Sequence, residues 1–281
     1  MHQLVILMSI PISDAYRKWL EYNITHGADK SKLLEQAVAH GHDKNTVTAI
    51  LTKKVIKPIE GIGNNQTGLT FLQWSRPNFV VGESDPKAWK IDTDLIQMYE
   101  IPNFLSEGEC KLIINEINGN LSNSTVTTGD TDYRTSRTCY LKTHNDVLSS
   151  NLDERICDLF GTTTMFSEGI QGVRYDEGEY FKVHTDWFEP GTTHYEENVN
   201  PGGQRTWTFM IYLNQPIAGG HTYFKDIQRS FAPVTGTALL WNNLYPTGDG
   251  NPFTHHEALP VEKGTKYIIT KWLRSQTGRN I

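Results

Sequence analysis

Near the middle of the chain the run Tyr175-Asp-Glu-Gly-Glu-Tyr-Phe-Lys-Val-His184-Thr-Asp186 ends in an imidazole and a carboxylate two residues apart. Side chains at i and i+2 of a strand share a face, so His184 and Asp186 can hold one metal ion together. Far downstream stand His255 and His256, and beyond them Lys266 in Gly264-Thr265-Lys266. One further histidine completes two imidazoles and one carboxylate, a donor set that suits iron(II) and leaves its other positions open for chemistry. A cation beyond such a triad asks for a metal-chelating ligand that also carries a remote negative charge, and 2-oxoglutarate has that form. With ten histidines in the chain, a lone His-x-Asp also arises by chance, so the surrounding residues decide.

The chain that must position these groups has 281 residues, enough for one large domain with a small one beside it. Its net charge of -6 offers no basic face, which argues against nucleic acid as a partner. Cys110, Cys139 and Cys157 are too few and too scattered for a disulfide framework or a zinc ribbon, and read as thiols in a reducing compartment. The apolar run Leu4-Val-Ile-Leu-Met8 lacks a basic flank and a cleavage site, and no stretch reaches the length of a membrane span. These features predict a cytoplasmic protein with no membrane partner.

Three divisions follow from the pattern. Residues 1–57 hold a small helical segment: Ser13-Asp14 can cap a first helix that Gly27 ends, Leu33, Leu34, Ala37 and Val38 stripe a second over 30–40, and a third opens at Asp43 with Val47, Ile50 and Leu51. Residues 58–94, richer in Gly, Asn and Pro, read as a linker with one or two strands at most. Residues 95–281 form the main domain. There a helix over 107–117, capped by Ser106, precedes short aromatic and β-branched strands over 171–175, 180–186, 206–213, 222–224, 236–241, 254–258 and 266–273. That count and spacing predict a mainly β fold with flanking helices, its core a jelly roll whose mouth holds a ligand.

At this point residues 101–274 resemble the prolyl 4-hydroxylase branch of the iron(II)- and 2-oxoglutarate-dependent dioxygenases. The matching blocks are Pro102-Asn-Phe-Leu-Ser-Glu107, Arg134-Thr-Ser136, Tyr175-x-x-Gly178 and Gly202-Gly-Gln-Arg205. Further blocks are Tyr212-Leu213, Gly219-Gly-His-Thr-Tyr-Phe224, His256-Glu-Ala-Leu-Pro-Val261, Gly264-Thr-Lys266 and Trp272. The resemblance implies a double-stranded β-helix of the cupin-like kind. It makes His184, Asp186 and His256 the iron ligands and, as such, the catalytic residues. It sets Lys266 against the far carboxylate of 2-oxoglutarate, has Tyr175, Thr222 and Trp272 line the cosubstrate pocket, and gives Arg205 a substrate-side role. The ten-residue step to Lys266 selects His256 and leaves His255 on the opposite face of its strand.

By the same resemblance the activity is hydroxylation of an unactivated C–H bond, with 2-oxoglutarate and O2 as cosubstrates, succinate and carbon dioxide as products, and ascorbate in support. The intact Asp186 favours hydroxylation over halogenation. Peptidyl-proline or a proline-rich protein is the expected substrate, attacked at C4. A free amino acid or small metabolite is an alternative, because Phe181 stands where many relatives have Tyr and His221 replaces a common Glu. A non-catalytic module binding proline-rich peptides is the other alternative; a nucleobase demethylase fits less well with Lys266 and the acidic charge.

Overall fold

The computed structural model describes residues 29–39, 42–52, 88–123, 133–141 and 147–277, together with Ile12, Arg17 and Leu20. The chain divides into two compact units, Met1–Ile62 and Gly63–Ile281. In the first, helices α1 (Lys30–Ala39) and α2 (Lys44–Thr52) pack together. Asp43 caps α2 by accepting from the Thr46 amide at 2.8 Å, as its place in the sequence predicts. Leu33, Ala37, Val47, Ile50 and Leu51 are buried, whereas Val38 of the predicted stripe is exposed. The predicted first helix and the boundary at 57/58 lie outside the described residues, except that Arg17 and Leu20 are helical.

The second unit runs β1 (Trp89–Lys90), β2 (Met98–Ile101), α3 (Glu107–Asn120), β3 (Ser122–Asn123), β4 (Arg137–Tyr140), α4 (Val147–Leu159), β5 (Gln171–Tyr175), β6 (Phe181–His184) and α5 (Thr193–Gly202). It continues with β7 (Arg205–Tyr212), β8 (Ala218–Gly219), β9 (Thr222–Phe224), β10 (Arg229–Phe231), β11 (Ala238–Asn242), β12 (His256–Ala258), β13 (Val261–Lys263) and β14 (Lys266–Arg274). One sheet has eight strands in the order β1-β2-β11-β7-β14-β5-β4-β3. The other has four, β10-β9-β12-β6, and β13 pairs with β8 alone. The architecture is a jelly-roll core with helices. Among the described residues no helix is long and apolar enough to cross a membrane.

The two-residue period of the strands divides labour between the faces of the large sheet. On β14, Tyr267, Ile269 and Leu273 enter the hydrophobic core, joined by Trp207, Phe209 and Ile211 of β7 and by Ile113, Ile117, Leu152 and Ile156 of α3 and α4. Each fully buried side chain of this kind stabilises the fold by about 1.5–3 kcal/mol. The intervening residues, Lys266, Ile268, Thr270 and Trp272 on β14 with Thr208 and Met210 on β7, line a cavity between the two sheets.

Two local devices fix the helical layer. Ser106 accepts from the Glu109 amide at 3.2 Å while the Glu109 carboxylate takes the Ser106 amide at 2.7 Å, a reciprocal cap that starts α3. Gly172 on β5 lets α3 approach closely, since a β-carbon there would lie 2.6 Å from Ile117 Cγ1.

Each of the seven predicted strands is present, 171–175 and 222–224 with the predicted ends and the other five with shifted ends. The strand allowed for within residues 58–94 is β1, paired with β2 at the edge of the large sheet. Two features differ from the sequence reading. Helix α5 lies between the predicted strands 180–186 and 206–213, and its Thr192 side chain accepts from the Tyr195 amide at 3.1 Å. Strand β6 ends at His184, so Asp186 follows it in a bend rather than on the strand.

Candidate active site

His184 ends β6 and His256 opens β12, and the two are register partners with ring centroids 4.2 Å apart. Their Nε2 atoms lie 3.9 and 3.8 Å from the two carboxylate oxygens of Asp186. One donor atom from each residue can be chosen so that all lie within 4.8 Å of one another. Each ring is oriented by a carbonyl two residues back: His184 Nδ1 donates to the Lys182 carbonyl at 2.8 Å and His256 Nδ1 to the Thr254 carbonyl at 2.9 Å. Because a carbonyl only accepts, both protons sit on Nδ1 and both Nε2 lone pairs are free for a metal.

Packing fixes the rings as well. Phe181 stacks on His184 at 3.7 Å, Phe224 stacks on His256 at 5.2 Å, and Trp241 meets His256 edge-on at 4.8 Å. Burial, and then the neighbouring His256, push the His184 imidazolium down to about 3, so the ring is neutral near pH 7. Burial opposes charge on Asp186, but the imidazoles of His256 and His184 and the Arg205 guanidinium hold its carboxyl below the usual range. An ionised carboxylate beside two exposed nitrogen lone pairs fits iron(II). His255 turns elsewhere and pairs with Asp226 at 3.2 Å.

The same cavity is lined by Tyr175, Thr222, Lys266 and Trp272 as well as the triad. Lys266 Nζ is buried, and its nearest described ring neighbours are Tyr175 and Tyr212, 5.1 and 5.7 Å to the centroids. Burial lowers its pKa to about 7. Among the described residues nothing accepts a hydrogen bond from Lys266 Nζ, Trp272 Nε1 or Trp241 Nε1. Tyr212 donates to Thr222 Oγ1 at 2.8 Å, which leaves the proton of Thr222 for another acceptor. A buried site with three unpartnered donors fits a ligand rich in carboxylate oxygens, such as 2-oxoglutarate.

Arg205 does not line this cavity. Its guanidinium makes two hydrogen bonds of 2.6 Å to the Glu168 carboxylate and lies 3.8 Å from the Trp272 ring centroid. Arg274 reaches the same carboxylate at 2.8 Å. The charge of Arg205 is thus already met within the protein, and its contact with the pocket runs through Trp272 and a 3.4 Å hydrogen bond to the Asp186 carbonyl. Arg134, which also lines the cavity, lies over the Phe181 ring at 4.7 Å.

Residues 170–274 match the family model described as the 2OG-Fe(II) oxygenase superfamily. A protein of Acanthamoeba polyphaga mimivirus, named as a candidate prolyl 4-hydroxylase, is 31% identical over 191 residues, covering 66% of this chain and 77% of its own length. The chain belongs to the 2OG-Fe(II) oxygenase superfamily, as a prolyl 4-hydroxylase-like member. Members of this superfamily are oxidoreductases that use iron(II), 2-oxoglutarate and O2. Prolyl 4-hydroxylase subunit alpha-1 of Rattus norvegicus is 28% identical over 206 residues, or 71% of this chain, but the match spans only 38% of that subunit. The viral collagen prolyl hydroxylase of Paramecium bursaria Chlorella virus-1, solved with 2OG, shares the oxygenase fold at a TM-score of 0.51 and 24% identity. That likeness covers 63% of this chain and 95% of the viral one.

Sequence reasoning missed Glu168, Thr208, Trp241 and Asn243. Thr208 Oγ1 donates to Asp186 Oδ2 at 2.6 Å and accepts from Asn243 Nδ2 at 2.9 Å. One signal was available: in Arg205-Thr-Trp-Thr-Phe209 two threonines alternate with core aromatics, a polar stripe on the inner face of an apolar strand. Glu168 and Asn243 lie outside the strands and carry no such periodic mark.

Proposed function

We propose that this chain hydroxylates C4 of a prolyl residue in a peptide or protein, releasing succinate and carbon dioxide. The observation that carries the reading is the pairing of the His184, Asp186 and His256 donors with a buried Lys266 that has no hydrogen-bond partner among the described residues, all in one cavity. The prolyl part is supported by the names of the mimivirus and rat relatives.

In this reading His184 and His256 offer Nε2 and Asp186 a carboxylate oxygen to iron(II). Lys266 pairs with the distal carboxylate of 2-oxoglutarate, a charge-assisted contact. Thr222 and Trp272 donate to the same ligand, and Tyr175 closes the pocket beside Lys266. Arg205 stands on the substrate side, holding Trp272 in place through its stack. When bound, iron and 2-oxoglutarate activate dioxygen and supply the oxidant that attacks the substrate C–H bond. The protein's share is to orient these groups and shield them: Phe181, Phe224 and Trp241 pack around the imidazoles and exclude water. Ascorbate keeps the metal ferrous, and the cytoplasm is the compartment of action.

A second reading keeps the chemistry and changes the substrate to a free amino acid or small metabolite. It is favoured by Phe181, which stacks on His184 and offers no hydroxyl to a peptide. A module that only binds proline-rich peptides would have no use for a complete triad. Incubation with iron(II), 2-oxoglutarate, ascorbate and a panel of proline-rich peptides separates the readings by mass spectrometry. A gain of one oxygen on a prolyl residue supports the first. Succinate release stimulated by free amino acids, with every peptide unmodified, sinks it in favour of the second.

A further inference from the structure

We propose that Thr208 and Asn243 act as one positioning unit for the metal carboxylate: Asn243 aims the Thr208 hydroxyl, and Thr208 holds Asp186 Oδ2 so that Oδ1 is the oxygen left for the metal. The inference rests on the reading of Asp186 as an iron ligand.

The directions follow from counting protons. A threonine hydroxyl has one proton and two lone pairs, and a metal-binding aspartate is a carboxylate that can only accept. The 2.6 Å contact between Thr208 Oγ1 and Asp186 Oδ2 therefore spends the one proton of Thr208 on Asp186. Whatever else touches Thr208 Oγ1 must donate to it. The Asn243 side chain does so with Nδ2 at 2.9 Å, and a flipped amide would set oxygen against oxygen with no proton between them.

Asn243 is itself held by the main chain, its amide donating to the Thr206 carbonyl at 2.8 Å and its carbonyl accepting from the Asn251 amide at 2.8 Å. Thr208 and Asn243 are fully buried, so water has no route to replace either bond. Asn243 Oδ1 finds no partner among the described residues. A fold that leaves a buried acceptor unsatisfied to keep an amide in this orientation has a reason for the orientation. Groups that hydrogen-bond to metal ligands typically change metal affinity by 10–100-fold when removed.

Cobalt(II) binding to the full chain tests this without turnover. Affinity is read by competition with a colorimetric chelator, coordination by the ligand-field absorption of the bound cobalt, and folding by circular dichroism. Thr208→Val should bind cobalt about tenfold more weakly with an altered spectrum, and Thr208→Ser should restore both. Asn243→Leu should weaken binding alone, yet change it less than about twofold when added to Thr208→Val, as expected of two residues acting in series. A folded Thr208→Val protein with wild-type affinity and spectrum overturns the proposal, and so do independent, additive effects of the two changes. If Thr208→Val does not fold, Asn243→Leu decides alone: a wild-type spectrum and affinity overturn the proposal. Asp186→Ala separates the levels. If it binds cobalt as the wild type does, the assignment of Asp186 has failed; if it loses cobalt and Thr208→Val does not, only the relay has failed.

Discussion

Lys266 and Tyr175 sit opposite each other on β14 and β5, and the ammonium lies 5.1 Å from the centroid of the tyrosine ring. An aromatic face attracts a cation but supplies no countercharge, so the lysine is buried with its charge largely uncompensated. That state is costly for the empty protein and favourable for an incoming carboxylate.

The pH dependence of both folding and ligand binding follows from this burial. The pKa of Lys266 falls from 10.5 in the unfolded chain to about 7 in the folded one. Between these values the unfolded chain carries a proton that the native state lacks, so the contribution of Lys266 to stability rises with pH across that window. The penalty is fully present below pH 7. A bound carboxylate favours the ammonium, so 2-oxoglutarate binding above pH 7 should take up close to one proton and weaken as pH rises. Calorimetry in buffers of different ionisation enthalpy measures the uptake. Lys266→Met should abolish it, and an uptake that survives this change would contradict the account.

Asp186→Ala removes the only carboxylate of the triad. With metal at a hundredfold excess over Kd, the wild type should gain about 2.7 kcal/mol of stability, seen as a rise in Tm. The variant should stay folded and show no metal-dependent rise.

Glu168 anchors Arg205 and Arg274 together. Burial opposes its ionisation, but the two guanidinium groups, Arg205 foremost, hold the carboxyl below its ordinary 4.5. Its contribution to stability is therefore present above pH 4.5 and lost as pH falls through the lower folded value. Glu168→Gln should cost about 3–5 kcal/mol at neutral pH, the penalty for breaking a buried pair. It should also flatten the acid limb of the stability curve, read from urea unfolding between pH 3 and 7.

A second buried pair joins Lys271 of β14 to Asp153 of α4, with Lys271 Nζ also donating to the Glu168 carbonyl at 2.6 Å. Lys271→Met alone should destabilise by about 3–5 kcal/mol because it strands the aspartate. The double change with Asp153→Leu should cost distinctly less. A loss in the double variant equal to the sum of the two single losses would show that the pair is not coupled.

What was legible in the chain was whatever repeats or caps. The strands around the cavity show in the alternation of β14, where Lys266, Thr270 and Trp272 interleave with Tyr267, Ile269 and Leu273. The start of α3 shows in Ser106 and Glu109. Helix α5 leaves little mark in the sequence because Thr, Asn, Pro and Gly in 192–203 outweigh its one cap signal in intrinsic preference. The triad and Lys266 were found because short spacings mark them, two residues from His184 to Asp186 and ten from His256 to Lys266. The pairings of Arg205 with Glu168 and of Thr208 with Asn243 join residues 37 and 35 apart, contacts that only the closed sheets create.

The most direct test is diffraction from crystals grown with manganese(II) and 2-oxoglutarate under anaerobic conditions. The account predicts an anomalous peak bound by His184 Nε2, Asp186 and His256 Nε2, with the distal carboxylate of 2-oxoglutarate in contact with Lys266 Nζ. Metal held by other residues, or a carboxylate lying away from Lys266, would contradict it.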